Sequence, residues 1–226
     1  MKIGILQAGH LPPDLIAQSG DYDQVFTELL AGNGFDIQCW PVVDMEFPPD
    51  AGAADGWLIT GSRHGAYEDL PWIAPLEDLV RDIHARKSPL VGICFGHQII
   101  AQALGGKVEK FAGGWAVGRT DYALGNKTLT VNAWHQDQVV ERPSEARVLG
   151  RNDFCENAIL AYGDTIWTLQ PHPEFSPELL KSLIQTRGPG VVPADILERA
   201  AQTADAPNSN ADIIAFMAAF LTKERA

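Results

Sequence analysis

Apolar residues recur along this chain in two rhythms, and the places where one rhythm gives way to the other mark its elements. Residues 2–7 open with a short apolar run that reads as a strand. Residues 21–30 set Tyr22, Val25, Phe26, Leu29 and Leu30 at helical spacing, and Gly32-Asn33-Gly34 stops them. Residues 35–40 predict a second strand, and residues 56–60 a third that runs into a Gly61-Ser62 turn. Residues 75–86 predict a helix with Leu76, Leu79, Val80 and Ile83 on one face. A fourth strand at 90–93 precedes a helix at 97–104. Strands alternating with helices in this way predict an α/β fold: a mostly parallel central sheet with helices on both faces.

The middle of the chain has a different rhythm. Residues 107–169 alternate apolar and polar positions and are broken by turns such as Leu124-Gly125-Asn126. They predict a small region of shorter, partly antiparallel strands at 128–132, 147–150, 158–162 and 165–169. Helix returns at 176–185, with Ser176 as N-cap, Pro177 at the first position and Glu178 in the first turn. Residues 187–193 are rich in Gly and Pro, and 204–210 read as a polar loop. A last helix at 212–223 carries Ile213, Ile214, Phe216, Met217, Phe220 and Leu221. There is no internal repeat or low-complexity tract, so residues 1–226 read as a single domain.

Composition narrows the function classes. With 226 residues, 46% of them hydrophobic, the chain can build a sizeable core. Seventeen Lys and Arg against 29 Asp and Glu leave a net charge of −12, which argues against a nucleic-acid partner. No run approaches the ~20 apolar residues that a membrane span needs, and the N-terminus reads as a strand rather than a signal peptide. Three scattered cysteines, Cys39, Cys94 and Cys155, make no disulfide framework and predict reduced thiols in a cytoplasmic protein.

One cysteine stands apart. In Gly92-Ile93-Cys94-Phe95-Gly96 it lies where a buried strand turns into a helix. Such an elbow lifts a side chain above the sheet edge and aims helix N-terminal N–H groups at it. Crowding in the turn explains the flanking glycines, and the arrangement has the logic of the G-x-S-x-G nucleophile elbow, in which the N–H of Phe95 is free to bind an oxyanion. A cysteine nucleophile needs a base and a group to orient that base. Of the six histidines, His10, His64 and His84 read as solvent-facing, and His97 on the new helix need not point back. His172 follows a strand in Pro171-His172-Pro173-Glu174, where two prolines fix the backbone and i, i+2 spacing puts His172 and Glu174 on one side. A Cys94-His172-Glu174 triad follows. A metal site from Cys94 and His97 lacks a second ligand pair, so no metal and no cofactor are expected.

Gly92-x-Cys94-x-Gly96-x-Gln98 together with Pro171-His172-Pro173-Glu174 resembles the class I (triad) glutamine amidotransferases, most of all the amidotransferase part of GMP synthase, over residues 2–185. The resemblance implies their flavodoxin-like fold, with Cys94 as nucleophile, His172 as base and Glu174 as its orienting partner. Thr60-Gly61-Ser62 matches the family's oxyanion loop, so the Gly61 and Phe95 N–H groups would share the oxyanion. Gln98 matches a position that contacts bound glutamine. Loops 63–70 and 111–118 would wall the donor, Ser62 and Trp115 are expected to bind it, and His135-x-Asp137-x-Val139 resembles a stretch near the donor site. GMP synthase continues into an ATP-using domain, whereas residues 188–226 carry no P-loop pattern. Gly113-Gly114-Trp115-Ala116-Val117-Gly118 replaces what in that branch would hold the α-amino acid end of the donor.

Three functions stay open on the sequence. The first is an amidase acting on the γ-amide of glutamine, alone or delivering ammonia to a partner synthase. The second is a γ-glutamyl peptidase or hydrolase with a larger leaving amine. The third is a non-enzymic regulatory relative, against which the complete triad argues.

Overall fold

The structure, a computed structural model, describes residues 1–223. In chain order its elements are β1 (Lys2–Leu6), α1 (Pro13–Ser19), α2 (Tyr22–Leu29), β2 (Asp36–Trp40), β3 (Gly56–Ile59), α3 (Ile73–Ala85), β4 (Leu90–Ile93), α4 (Phe95–Ala103), β5 (Lys107–Lys110), β6 (Ala116–Leu124), β7 (Lys127–His135), β8 (Asp137–Glu141), β9 (Ala146–Arg151), β10 (Ile159–Tyr162), β11 (Ile166–Leu169), α5 (Pro177–Thr186), α6 (Ala194–Thr203) and α7 (Asn210–Thr222). One sheet holds nine strands in the order β2-β1-β3-β4-β11-β10-β9-β6-β7. The first five are parallel neighbours. From β11 onward the pairing is antiparallel, and β5 and β8 form a separate antiparallel pair. Among the described residues no helix is long and apolar enough to cross a membrane.

The parallel strands read as continuous apolar runs because both of their faces are covered, and every residue of β3 and β4 is buried. Successive side chains go to opposite sides. Trp57 and Ile59 face a core completed by Leu76, Val80 and Ile83 of α3 and Ile99 and Ile100 of α4. Leu58, Val91 and Ile93 face the other core, with Leu15, Phe26, Leu179, Leu183, Ile213 and Met217 from α1, α2, α5 and α7. Each such side chain contributes about 1.5–3 kcal/mol when fully buried, so the helices are held by packing more than by intrinsic propensity.

The structure departs from the sequence reading in several places. α3 begins at Ile73 rather than residue 75, since Pro75 is tolerated in a first turn. α4 begins at Phe95, directly after the cysteine. β6 and β7 are nine residues each, far longer than the short strands expected, and residues 116–118 belong to β6 rather than to a loop. The apolar pattern does not mark α1, α6 or strands β5, β6 and β8. α6 lies on β6 across Gly118, where an added Cβ would come within 2.6 Å of the Ala200 Cβ. The free edge of β7 is covered: Ser209 N donates to Thr130 O at 2.7 Å, Thr130 N donates to Ser209 Oγ at 3.1 Å, and Asn132 bridges to His172.

Candidate active site

Three parallel strands, β3, β4 and β11, end side by side, and the chain leaving each carries one part of the site, at the carboxyl edge where α/β folds place ligands. Cys94 directly follows β4 with φ 50° and ψ −100°, and α4 starts at the next residue. The Cys94 N–H donates to Leu169 O at 2.9 Å and its carbonyl accepts from Gln98 N at 3.0 Å. The flanking glycines have a steric reason. A Cβ on Gly92 would sit 2.6 Å from the Gly96 carbonyl oxygen, and one on Gly96 would run into the Ile59 carbonyl. Cys94 is 5% exposed and packed into the core, rather than standing free at the apex of the turn.

The strap leaving β11 supplies the imidazole. His172 Nδ1 and Glu174 Oε1 are 2.6 Å apart, and both side chains are buried. The His172 N–H donates to Asn132 O at 2.8 Å, and its ring stacks on Phe175 with centroids 4.0 Å apart and planes 9° from parallel. Burial alone would push the His172 pKa down. The Glu174 carboxylate, with the charge and hydrogen bond of Cys94, outweighs it and raises the value to about 10. The site therefore favours an imidazolium beside the cysteine sulfur.

The third part is the loop after β3. Thr60 Oγ1 accepts from Ala8 N at 3.0 Å and donates to Gly61 O at 2.9 Å, while Gly96 N donates to Thr60 O at 3.1 Å. These bonds tie the loop to the elbow. A Cβ on Gly61 would lie 3.0 Å from His172 Cε1 and 3.5 Å from the Tyr22 hydroxyl. Among the described residues, no hydrogen bond of the fold uses the Gly61 or Phe95 N–H.

The remaining residues singled out in the sequence fall into place unevenly. Gln98 is buried, with Nε2 donating to Asp137 O at 2.9 Å and Gln170 Oε1 at 3.1 Å, and Gln170 Nε2 in turn approaches Cys94 Sγ at 3.5 Å. Both Gln98 N–H donors are thus engaged by the fold. Ser62 Oγ accepts from His64 N at 3.1 Å. Trp115 is partly exposed just before β6. His135 is buried with Nδ1 3.2 Å from Asp137 O and, among the described residues, Nε2 unpartnered. Burial, and secondly the charge on His172, lower its pKa to about 3, so it stays neutral. Asp137 accepts from Tyr67 OH at 3.2 Å and has its pKa raised by burial. His97 turns to Thr168 Oγ1 at 2.8 Å. His10 is paired with Asp21 and Asp44. Among the described residues, no group of three His, Cys, Asp or Glu is arranged to hold a metal.

Two residues of the site give no signal in the sequence. Gln170 reads as a strand end, and Tyr22 as one more apolar position of α2. Tyr22 is 7% exposed, and its hydroxyl faces the Gly61 loop. Burial first, then the charges of Glu174 and Cys94, raise its pKa and keep it protonated.

Against known proteins, residues 25–187 match the glutamine amidotransferase class-I family. The chain belongs to that family. Among curated proteins, this amidotransferase is 33% identical over 196 residues to Gamma-glutamyl peptidase 2 of Arabidopsis thaliana, covering 80% of this chain and 79% of that one. It is 32% identical over 120 residues to a glutamine-hydrolyzing GMP synthase subunit of Methanopyrus kandleri, covering 44% of this chain and 62% of that one. Among solved structures, a glutamine amidotransferase from Thermotoga maritima superposes with a TM-score of 0.78 over 97% of this chain and 96% of that one. At 19% identity, that likeness speaks for the fold.

Proposed function

We propose that this class I amidotransferase hydrolyses the γ-amide bond of γ-glutamyl compounds, with Cys94 as nucleophile, His172 as acid and base, and Glu174 as the residue orienting it. The observation that carries the reading is the 2.6 Å His172–Glu174 contact behind a positive-φ cysteine between two sterically required glycines. The Cys94 sulfur bonds to the carbonyl carbon of the γ-amide, and the oxygen that becomes negative is held by the Gly61 and Phe95 N–H groups. As the C–N bond breaks, His172 gives its proton to the leaving nitrogen and becomes neutral. Water then loses a proton to His172 and attacks the thioester. The C–S bond breaks, glutamate leaves, and the thiolate–imidazolium pair is restored. Asp137, Ser62, Trp115 and Gln98 are assigned to the donor side, and His135 to a neutral, buried support. The reduced thiols suit a cytoplasmic setting.

The sequence reading puts glutamine first among donors. The similarity to a γ-glutamyl peptidase across four-fifths of the chain weighs toward amines larger than ammonia. The second reading, ammonia delivery to a partner synthase, is favoured by the shorter match to the GMP synthase subunit. Rates of glutamate release from glutamine and from a panel of γ-glutamyl dipeptides separate them. Faster release from dipeptides is expected. Release from glutamine alone, at a slow basal rate, would move the function to the amidotransferase reading.

A further inference from the structure

The family match ends at residue 187, yet the chain beyond it reaches back to the catalytic strap. The connection from α6 to α7 crosses the free edge of the sheet. Arg119 Nε donates to Pro207 O at 3.1 Å, Ser209 and Thr130 exchange two hydrogen bonds, and Asn210 Nδ2 donates to Phe175 O at 3.1 Å. The same carbonyl accepts from Asn132 Nδ2 at 3.1 Å. Phe175 is the residue whose ring lies flat on His172. Asn132 also accepts the His172 N–H through its own carbonyl.

We propose that Asn210, supplied by the C-terminal segment, is a positioning residue for His172, acting through Phe175. Glu174 holds the imidazole by one hydrogen bond at Nδ1, which leaves the ring able to rock about its Cβ–Cγ bond. The stacked phenyl ring blocks one face and removes that freedom. An aromatic face also favours the protonated imidazole over the neutral one. The phenyl ring can do this only while its backbone is held, and the two amides fix the one carbonyl that sets it. Among the described residues the Asn210 side chain has a single hydrogen-bond partner, an acceptor, so its NH2 must be the group facing Phe175. Among the described residues its Oδ1 is buried without a partner, a cost accepted for one donor contact. The segment leading from α6 into α7 would therefore tune the proton on His172 through Phe175.

This rests on Cys94 and His172 forming the reacting pair, and the test reads that pair without substrate. His172 is titrated by NMR in the full chain, and the rate of Cys94 alkylation by iodoacetamide is measured at pH 7, for wild type, Asn210→Leu, Asn210→Gln, Phe175→Leu, Phe175→Tyr and His172→Ala. Asn210→Leu keeps the size and loses the donor without adding a charge. It and Phe175→Leu should lower the His172 titration and slow alkylation about three- to tenfold, the loss of roughly one hydrogen bond or one ring contact. Phe175→Tyr should restore the wild-type values, and Asn210→Gln should fall between, since it keeps an NH2 on a longer arm. Unchanged titration and alkylation in Asn210→Leu and Phe175→Leu would overturn the proposal. Failure of the reacting pair itself would look different, with His172→Ala alkylated as fast as wild type.

Discussion

At Cys94 the backbone takes φ 50°, a conformation that costs an L-residue about 1–3 kcal/mol and persists only where its surroundings enforce it. Two backbone hydrogen bonds do so here, from the Cys94 N–H to Leu169 O and from Gln98 N to the Cys94 carbonyl. The strain belongs to the Cβ, so Cys94→Gly should be more stable than Cys94→Ala by about 1 kcal/mol in urea unfolding, although both lack the thiol. Equal midpoints would mean that the elbow is relaxed. Gly61 gives a second test at this scale. A methyl there would sit 3.0 Å from His172 Cε1, closer than the ring tolerates without moving. Gly61→Ala should lower kcat about ten- to hundredfold, as misplacement of a reacting group does, with a melting temperature near that of wild type. The other two cysteines are poor nucleophiles. Burial pushes the thiols of Cys39 and Cys155 up to about 12.

At the scale of elements, legibility follows burial. β1, β3, β4, α2, α3, α5 and α7 bury continuous or periodic apolar sets, and the chain announces them. α1 has seven residues and buries only Leu15, and α6 buries only Ala200, so neither leaves a stripe to read. β6 is broken by the positive φ of Gly118 and half exposed, which blurs its alternation. The proposed triad is legible because its parts sit in two short motifs. Tyr22, Asn132, Gln170 and Asn210 are not, because each is an ordinary residue made special by a neighbour distant in sequence. The seat of α6 on β6 is testable. Gly118→Ala adds a methyl 2.6 Å from the Ala200 Cβ at φ +84°, and should destabilise the protein by about 2–4 kcal/mol in denaturant unfolding. No change in midpoint would contradict the packing described.

At the scale of the whole molecule, buried ionisable groups set the pH range of stability. His97 and His135 have pKa values of about 3, lowered chiefly by burial, against about 6.5 unfolded. The unfolded chain binds more protons in that window, so their contribution is full above pH ~6.5 and is lost as pH falls toward 3. His172 works in the opposite sense. Raised to about 10, it contributes fully below pH ~6.5 and loses that contribution as pH rises to 10. The thiols of Cys39 and Cys155 extend the basic loss beyond pH ~9, since they stay protonated there only when folded. Unfolding free energy should therefore peak near pH ~6–7, and His172→Gln should flatten the limb between about 7 and 10. A stability that rose through that limb would contradict the assigned proton on His172. The central claim, that Cys94 alone attacks the γ-carbonyl, is tested most directly by peptide mapping after treatment with a diazoketone analogue of glutamine. One adduct is expected, on the peptide bearing Cys94, and none in Cys94→Ala. An adduct on Cys39 or Cys155, or glutamate release by Cys94→Ala at the wild-type rate, would contradict it.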